Sequence, residues 1–193
     1  MARRTRAEME ETRATLMVTA RQMFAAMGYA DTSMDDLTAR AGLTRGALYH
    51  HFGDKKGLLL AVVEQIDTEM DIRLQEISDV AEDVWEGLRN RCRAYLKMAQ
   101  EPEIQRIVLR DARAVLGTPP IEAQQRCIES MQTILQELIR RGVVVHTDSE
   151  ALAVLICGSL AEASFWIAES DECHERLEKA LATLDILLSG VKA

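Results

Sequence analysis

Three groups of residues in this chain have types and spacings that suit chemistry. The first is Ser33, followed eleven residues later by Thr44-Arg45-Gly46-Ala47. Each hydroxyl stands directly before a short run of helix formers, where a side-chain oxygen accepts from the unpaired N–H groups of a first turn. Such a helix start also offers N–H donors and positive dipole to an anion. Arg45 is the one side chain here able to make a two-pronged contact to a guanine edge. Gly46 and Ala47 leave room for close approach, and Ala47 suits a thymine methyl. The second group is Cys173-His174 between Glu172 and Glu175. Adjacent positions point apart on a helix, and His146 is far away in sequence, so no metal site is expected. The third is four cysteines, Cys92, Cys127, Cys157 and Cys173, spaced 35, 30 and 16 residues apart with no C-x-x-C pair. They read as reduced thiols in helices, with redox sensing by Cys92 or Cys127 a minor alternative. No Ser/His/Asp order, P-loop or dinucleotide fingerprint is present, so neither a catalytic residue nor a cofactor is expected.

The elements around Ser33 and Thr44 read as helices. A first helix is expected from about Ala7 to Met27, with Leu16, Met17, Ala20, Phe24 and Met27 near helical period and Gly28 as a stop. Ser33, with Asp36 three residues on, caps a second helix, Met34 to Ala41. Gly42-Leu43-Thr44 links it to a very short third helix, Arg45 to His51. Asp54 caps a fourth, Lys55 to about Ile77. Two short helices so joined fit a helix-turn-helix. Its small core would be Leu37, Ala41, Leu43, Leu48 and Phe52, with Phe24 and Leu58. Longer helices follow, at about Ala81–Ala99, from Pro102 to near Gly117, from Pro120 to Arg141, from Asp148 to Ala168 under a Thr147/Glu150 capping box, and from Ser170 to Leu188. The expectation is an all-α fold of about nine helices, with no convincing strand.

Composition agrees. The chain has 193 residues, 48% apolar and 28% charged, with three prolines and ten glycines. That is ordinary globular material rich in helix formers. The net charge is -8, but residues 1–60 hold nine Lys/Arg against seven acids, about +2, which leaves -10 for residues 61–193. A weakly basic head on an acidic body is consistent with one anionic partner at the head. No apolar run follows the basic Met1–Arg6, and the apolar run Ala151–Ala161 is too short to span a bilayer. No membrane partner and a cytoplasmic location are therefore expected.

From Met23 to Leu60 the sequence resembles the TetR (tetracycline repressor) family. Gly28-Tyr29, Thr32-Ser33-Met34, Ala41-Gly42-Leu43-Thr44-Arg45-Gly46-Ala47-Leu48-Tyr49-His50-His51-Phe52 and Lys55-Lys56-Gly57-Leu58-Leu59 sit in family register. The resemblance implies a DNA-binding head at 7–53 and a ligand-binding and dimerisation body at 54–193, with 54–77 as connecting helix. It implies phosphate contacts from Thr32, Ser33 and Lys55, and base-facing positions at Thr44, Arg45, Gly46 and Ala47. Tyr49 and His50 match positions that touch phosphate or bases, and Arg4 and Arg6 match a flexible arm. Leu109-Arg110-Asp111-Ala112-Arg113-Ala114-Val115-Leu116-Gly117 resembles a segment of one subgroup.

A seven-residue recognition helix makes few contacts, so two copies on a palindromic double-stranded operator are expected. The last two helices offer a homodimer face in Leu152, Leu155, Ser159, Leu177, Leu181 and Leu184, with an intramolecular core as the competing reading. The resemblance further implies a small-molecule effector, with pocket candidates Trp85, Cys92, Tyr95, Met98, Arg110, Asp111, Met131, Glu162 and Trp166. The function expected is a ligand-responsive repressor. The alternatives are a helical dimer that has lost specific DNA binding, and a helical enzyme, for which the body shows no polar cluster in sequence.

Overall fold

A computed structural model of the chain describes residues 5–117 and 121–193. The expected arm residue Arg4 and the chain break expected at Thr118-Pro119-Pro120 lie outside the described residues. Among the described residues there are nine α-helices and one π-helical segment, with no strand. An isolated bridge pairs Val144 with Lys192. The chain divides into two compact units, Met1–Ile66 with Arg106–Gly117, and Asp67–Gln105 with Thr118–Ala193. The expected head, 7–53, falls inside the first unit.

In the first unit, α1 (Arg6–Met27) starts at Thr5, whose hydroxyl accepts from the Glu8 N–H while its own N–H donates to the Glu8 carboxylate at 2.7 Å. This reciprocal cap satisfies two donors that an open helix end would leave unpaired. Helix α2 (Met34–Ala41) is capped by Ser33, which accepts from Asp35 and Asp36 N–H. Gly42 then takes a left-handed conformation, φ 65° and ψ 26°, and turns the chain into Leu43-Thr44. Any side chain there would be strained, which makes Gly42 the pivot of the turn. Helix α3 (Arg45–Phe52) follows, and both α2 and α3 pack on α1. Phe24, Leu37, Leu48 and Leu58 are fully buried, each worth about 1.5–3 kcal/mol. Ala41, Leu43 and Phe52, expected beside them, are half-buried. Asp54 caps α4 (Lys55–Asp79) by accepting from Gly57 N–H at 2.7 Å.

The expected single helix from Pro102 to Gly117 is instead a π-helical segment, Ile104–Ala112, running into a short α6 (Arg113–Leu116). Its part from Arg106 onward belongs to the first unit.

The second unit holds the end of α4, α5 (Val84–Met98), α7 (Ile121–Arg140), α8 (Ser149–Ala168) and α9 (Cys173–Ser189). Helix α7 packs along α8, α5 lies against α7, α8 and α9, and α8 against α9. Asp148 rather than Thr147 caps α8, accepting from Ala151 N–H at 2.7 Å. Ser170 does not cap α9; its hydroxyl accepts from Glu172 N–H in the preceding turn. By length and composition α8 could cross a membrane, because it continues past Ala161 to Ala168. Its Ala153, Ile156, Cys157, Leu160 and Ile167 are nevertheless buried within the chain.

Candidate nucleic-acid interface and body sites

The recognition candidate is α3. Thr44 is its N-cap, and the Thr44 hydroxyl accepts from Ala47 N–H at 3.2 Å. Within α3 only Leu48 is fully buried, while Arg45, Gly46, Tyr49 and His50 are exposed, with Tyr49 at 47%. Arg45 and Tyr49, and Gly46 and His50, are each one turn apart, so the four share one side of the helix. A Cβ at Gly46 would meet only the Thr44 hydroxyl, at 3.8 Å, so this side is open. The Arg13 guanidinium over the Phe52 ring, 5.3 Å from its centre, fastens the far end of α3 to α1.

Arg45 is not idle. Its Nε is 3.1 Å from an Asp35 carboxylate oxygen, and both side chains are more than half exposed. The pair joins the first turns of α2 and α3. Exposed pairs of this kind are worth about 0–1 kcal/mol, so a better acceptor displaces Asp35 at little cost.

Two expected phosphate contacts sit differently. Thr32 is 1% exposed, and its hydroxyl donates to the Gly28 carbonyl at 2.7 Å. That side chain holds the turn before α2 and is not presented to a phosphate, a correction to its expected role. Lys55 is half-buried; its ammonium donates to the Ala30 carbonyl at 3.3 Å and lies 4.4 Å over the Tyr29 ring. Burial pulls its pKa below the ordinary lysine value, with Asp31 and Asp111 pulling it back up. Lys55 therefore braces the Tyr29–Ala30 turn. Arg6, an arm candidate, pairs with Glu10 one turn along α1.

The same turn receives Asp111, whose carboxylate accepts from Tyr29 N–H at 2.7 Å. Arg106 donates to the Met27 carbonyl at 2.8 Å, and its Nε is 3.7 Å from Asp111. Asp111, expected to line a pocket, is thus a latch on the end of α1. Its neighbour Arg110 is exposed and belongs to the same unit.

The remaining pocket candidates scatter. Glu162 and Trp166 are exposed on α8, and the Arg176 guanidinium stacks 4.9 Å over Trp166 while bonding its carbonyl. Glu162 does not face the interior of the unit, which corrects its expected place, whereas Trp166 lines the groove between α8 and α9. Trp85 is half-buried under the Lys192 ammonium, 5.2 Å from its ring centre. Met98 and Met131 are buried. Cys92 is fully buried, which pushes its thiol up to about 12. Burial also raises the Tyr95 phenol, with Cys127, Asp67, Cys157 and Asp71 adding to the rise.

Sequence reasoning missed the polar group beside them. Arg91 is 4% exposed and donates to the Gln75 side-chain oxygen at 3.2 Å. Burial raises the Asp71 carboxyl above the usual range, with Arg91 and Arg126 opposing the rise. A signal existed: Arg91 lies at helical spacing among Leu88, Cys92 and Tyr95, so one charged residue interrupts a largely apolar stripe.

The dimer candidates divide. Leu177, Leu181 and Leu184 are 4–6% exposed and belong to the chain's own core, which corrects their assignment to an intersubunit face. Leu155 is 70% exposed and Ser159 is also exposed, while Leu152 is half-buried. Sequence reasoning missed Val154, Ile186 and Leu187, at 45%, 71% and 58%. Between α8 and α9 a shallow groove is lined by Ser159, Ala163, Trp166, Thr183 and Leu187 among others.

Comparison with known proteins agrees with this arrangement. Residues 16–62 match the profile of bacterial regulatory proteins of the tetR family, and residues 85–191 match a tetracyclin repressor-like C-terminal domain. A solved TetR-family transcriptional regulator from Pectobacterium atrosepticum is 69% identical, covers 98% of both chains and superposes with a TM-score of 0.94. The HTH-type transcriptional regulator SrpR of Pseudomonas putida is 26% identical over 97% of this chain and 90% of its own. The Transposon Tn10 TetC protein of Escherichia coli is 27% identical over 75% of this chain and 74% of its own. The chain belongs to the TetR family. It is a transcriptional regulator with a helix-turn-helix DNA-binding domain, not an enzyme.

Proposed function

We propose that the chain is a cytoplasmic, ligand-responsive repressor that binds a palindromic operator as a homodimer and is released by a small-molecule effector. The head at 7–53 reads DNA; the body at 54–193 dimerises and takes the effector. The observation that carries the reading is the open side of α3, where Thr44, Arg45, Gly46, Tyr49 and His50 lie together on a helix anchored from behind by Leu48. In this reading Thr44 to Ala47 face base edges, while Ser33, Tyr49 and His50 hold phosphates. The head is only weakly basic, so one copy binds weakly and two are required.

The exposed apolar residues Leu155, Ile186 and Leu187 support a second copy as the occupant of the α8 and α9 faces. The buried Arg91, one turn before Tyr95 on α5, supports an effector site on that face of α5 that offers a cation beside Gln75 and Asp71. Binding there must favour one spacing of the two heads to alter DNA affinity. The test is selection of operator sequences from random duplex DNA, followed by a screen for compounds that release the protein. Enrichment of an inverted repeat, and release by a compound, support the reading; enrichment of no sequence refutes it.

A further inference from the structure

We propose that Cys127 and Cys157 form a modification site, a thiol pair that a hydroperoxide oxidises to an intramolecular disulfide joining α7 to α8. Their sulfurs stand 3.2 Å apart. A disulfide spans about 2.05 Å, so closure needs an approach of roughly 1 Å, within reach of side-chain rotation. The two residues are 30 positions apart in sequence and meet only because α7 packs along α8.

The pair is asymmetric in the way the chemistry requires. Cys127 is partly exposed, whereas Cys157 is 9% exposed. The hydrogen bond between the two sulfurs holds the Cys127 thiol below the ordinary cysteine range, against burial, and the same bond with burial pushes Cys157 up. Among charged neighbours, Arg91 favours the Cys127 thiolate, and Asp71 and Asp67 oppose it. Cys92, fully buried and held as a thiol, stays out of the reaction.

The Cys127 thiolate attacks one oxygen of the hydroperoxide, and the O–O bond breaks. The other oxygen leaves as alkoxide or hydroxide and takes up a proton, while Cys127 becomes a sulfenic acid. The Cys157 sulfur then attacks the Cys127 sulfur, the S–O bond breaks, and hydroxide leaves with the Cys157 proton as water. Two thiols and one hydroperoxide give one disulfide, one alcohol or water, and one water; two electrons pass to the peroxide. The product ties α7 to α8 and restricts any body movement that separates them.

The test treats the full chain with hydrogen peroxide, alkylates remaining thiols after denaturation and reads the digest by mass spectrometry. The expected product is a Cys127–Cys157 crosslink lacking two hydrogens and reversed by dithiothreitol, with Cys92 and Cys173 alkylated. C92S retains the crosslink. C157S loses it and leaves a Cys127 sulfenic acid that dimedone traps. Recovery of both Cys127 and Cys157 in alkylated form overturns the proposal. So do crosslinks solely between chains, or a Cys127 sulfinic acid beside an unreacted Cys157. If C157S does not fold, the native and C92S digests decide. Mass alone reads the outcome, so failure leaves the DNA-binding account untouched.

Discussion

Asp111→Ala should loosen the head, although residue 111 lies 82 positions from the turn it holds. The Asp111 carboxylate accepts from Tyr29 N–H at 2.7 Å, and Asp111 is about one-fifth exposed. A hydrogen bond to a charged acceptor contributes about 1.5–3 kcal/mol. The Arg106 pair adds little, since Nε is 3.7 Å away and its side chain is 41% exposed. The expected cost is about 2–3 kcal/mol, or roughly 30- to 150-fold in the local opening equilibrium. Asp111→Asn keeps an acceptor and loses the charge, so it should cost about half as much. The direct assay is hydrogen exchange at the Tyr29 amide in the full chain, with urea unfolding as the global companion. Unchanged Tyr29 exchange in Asp111→Ala would refute the latch. Equal effects of Ala and Asn would refute the charge-assisted part of the argument.

Further consequences are equally specific. Gly28 has φ 84° and ψ 167°, and a Cβ there would lie 2.0 Å from an Arg106 nitrogen, so Gly28→Ala should cost about 2–4 kcal/mol in unfolding, partly relieved by Arg106→Ala in a double-mutant cycle. Arg45→Ala should weaken operator binding by about 1–3 kcal/mol and relax one base-pair preference in gel shifts at fixed salt, while Asp35→Ala should leave that preference intact. Leu155→Glu should shift dimer to monomer in light scattering, since each copy loses about 1.5–3 kcal/mol of apolar burial and a charge is forced into the interface; an unchanged dimer mass would move the interface elsewhere. Leu48→Ala should destabilise the head by about 3–5 kcal/mol through a cavity behind α3, read by thermal unfolding.

Local signals in the sequence carried most of the helical architecture. Ser33, Gly42, Thr44 and Asp54 are caps and turns whose chemistry acts within a few residues, and α2 falls at Met34–Ala41 as expected. Competing caps were harder to separate. Thr147 and Asp148 are neighbours of equal suitability, and the backbone entering α8 selected Asp148. The π-helical segment carries no Pro or Gly within Ile104–Ala112 to mark it. The site was legible where it is local to α3 and illegible where it depends on distant packing. Asp111 could not be assigned to the α1 turn, nor Thr32 to the Gly28 carbonyl, from spacing alone. On α9, Leu177, Leu181 and Leu184 form one heptad-like stripe, and the sequence did not say whether the chain itself or a second copy covers it. The chain covers it, and Ile186 and Leu187 are left outside.

In the proposed function, paired copies of α3 read a two-fold operator through Arg45 and its neighbours. Selection of random duplex DNA by the native chain and by Arg45→Ala in parallel tests it most directly. The native chain should enrich an inverted repeat, and Arg45→Ala the same repeat degenerate at one symmetric position. Identical enriched sequences from both proteins, or a site without two-fold symmetry, would contradict it.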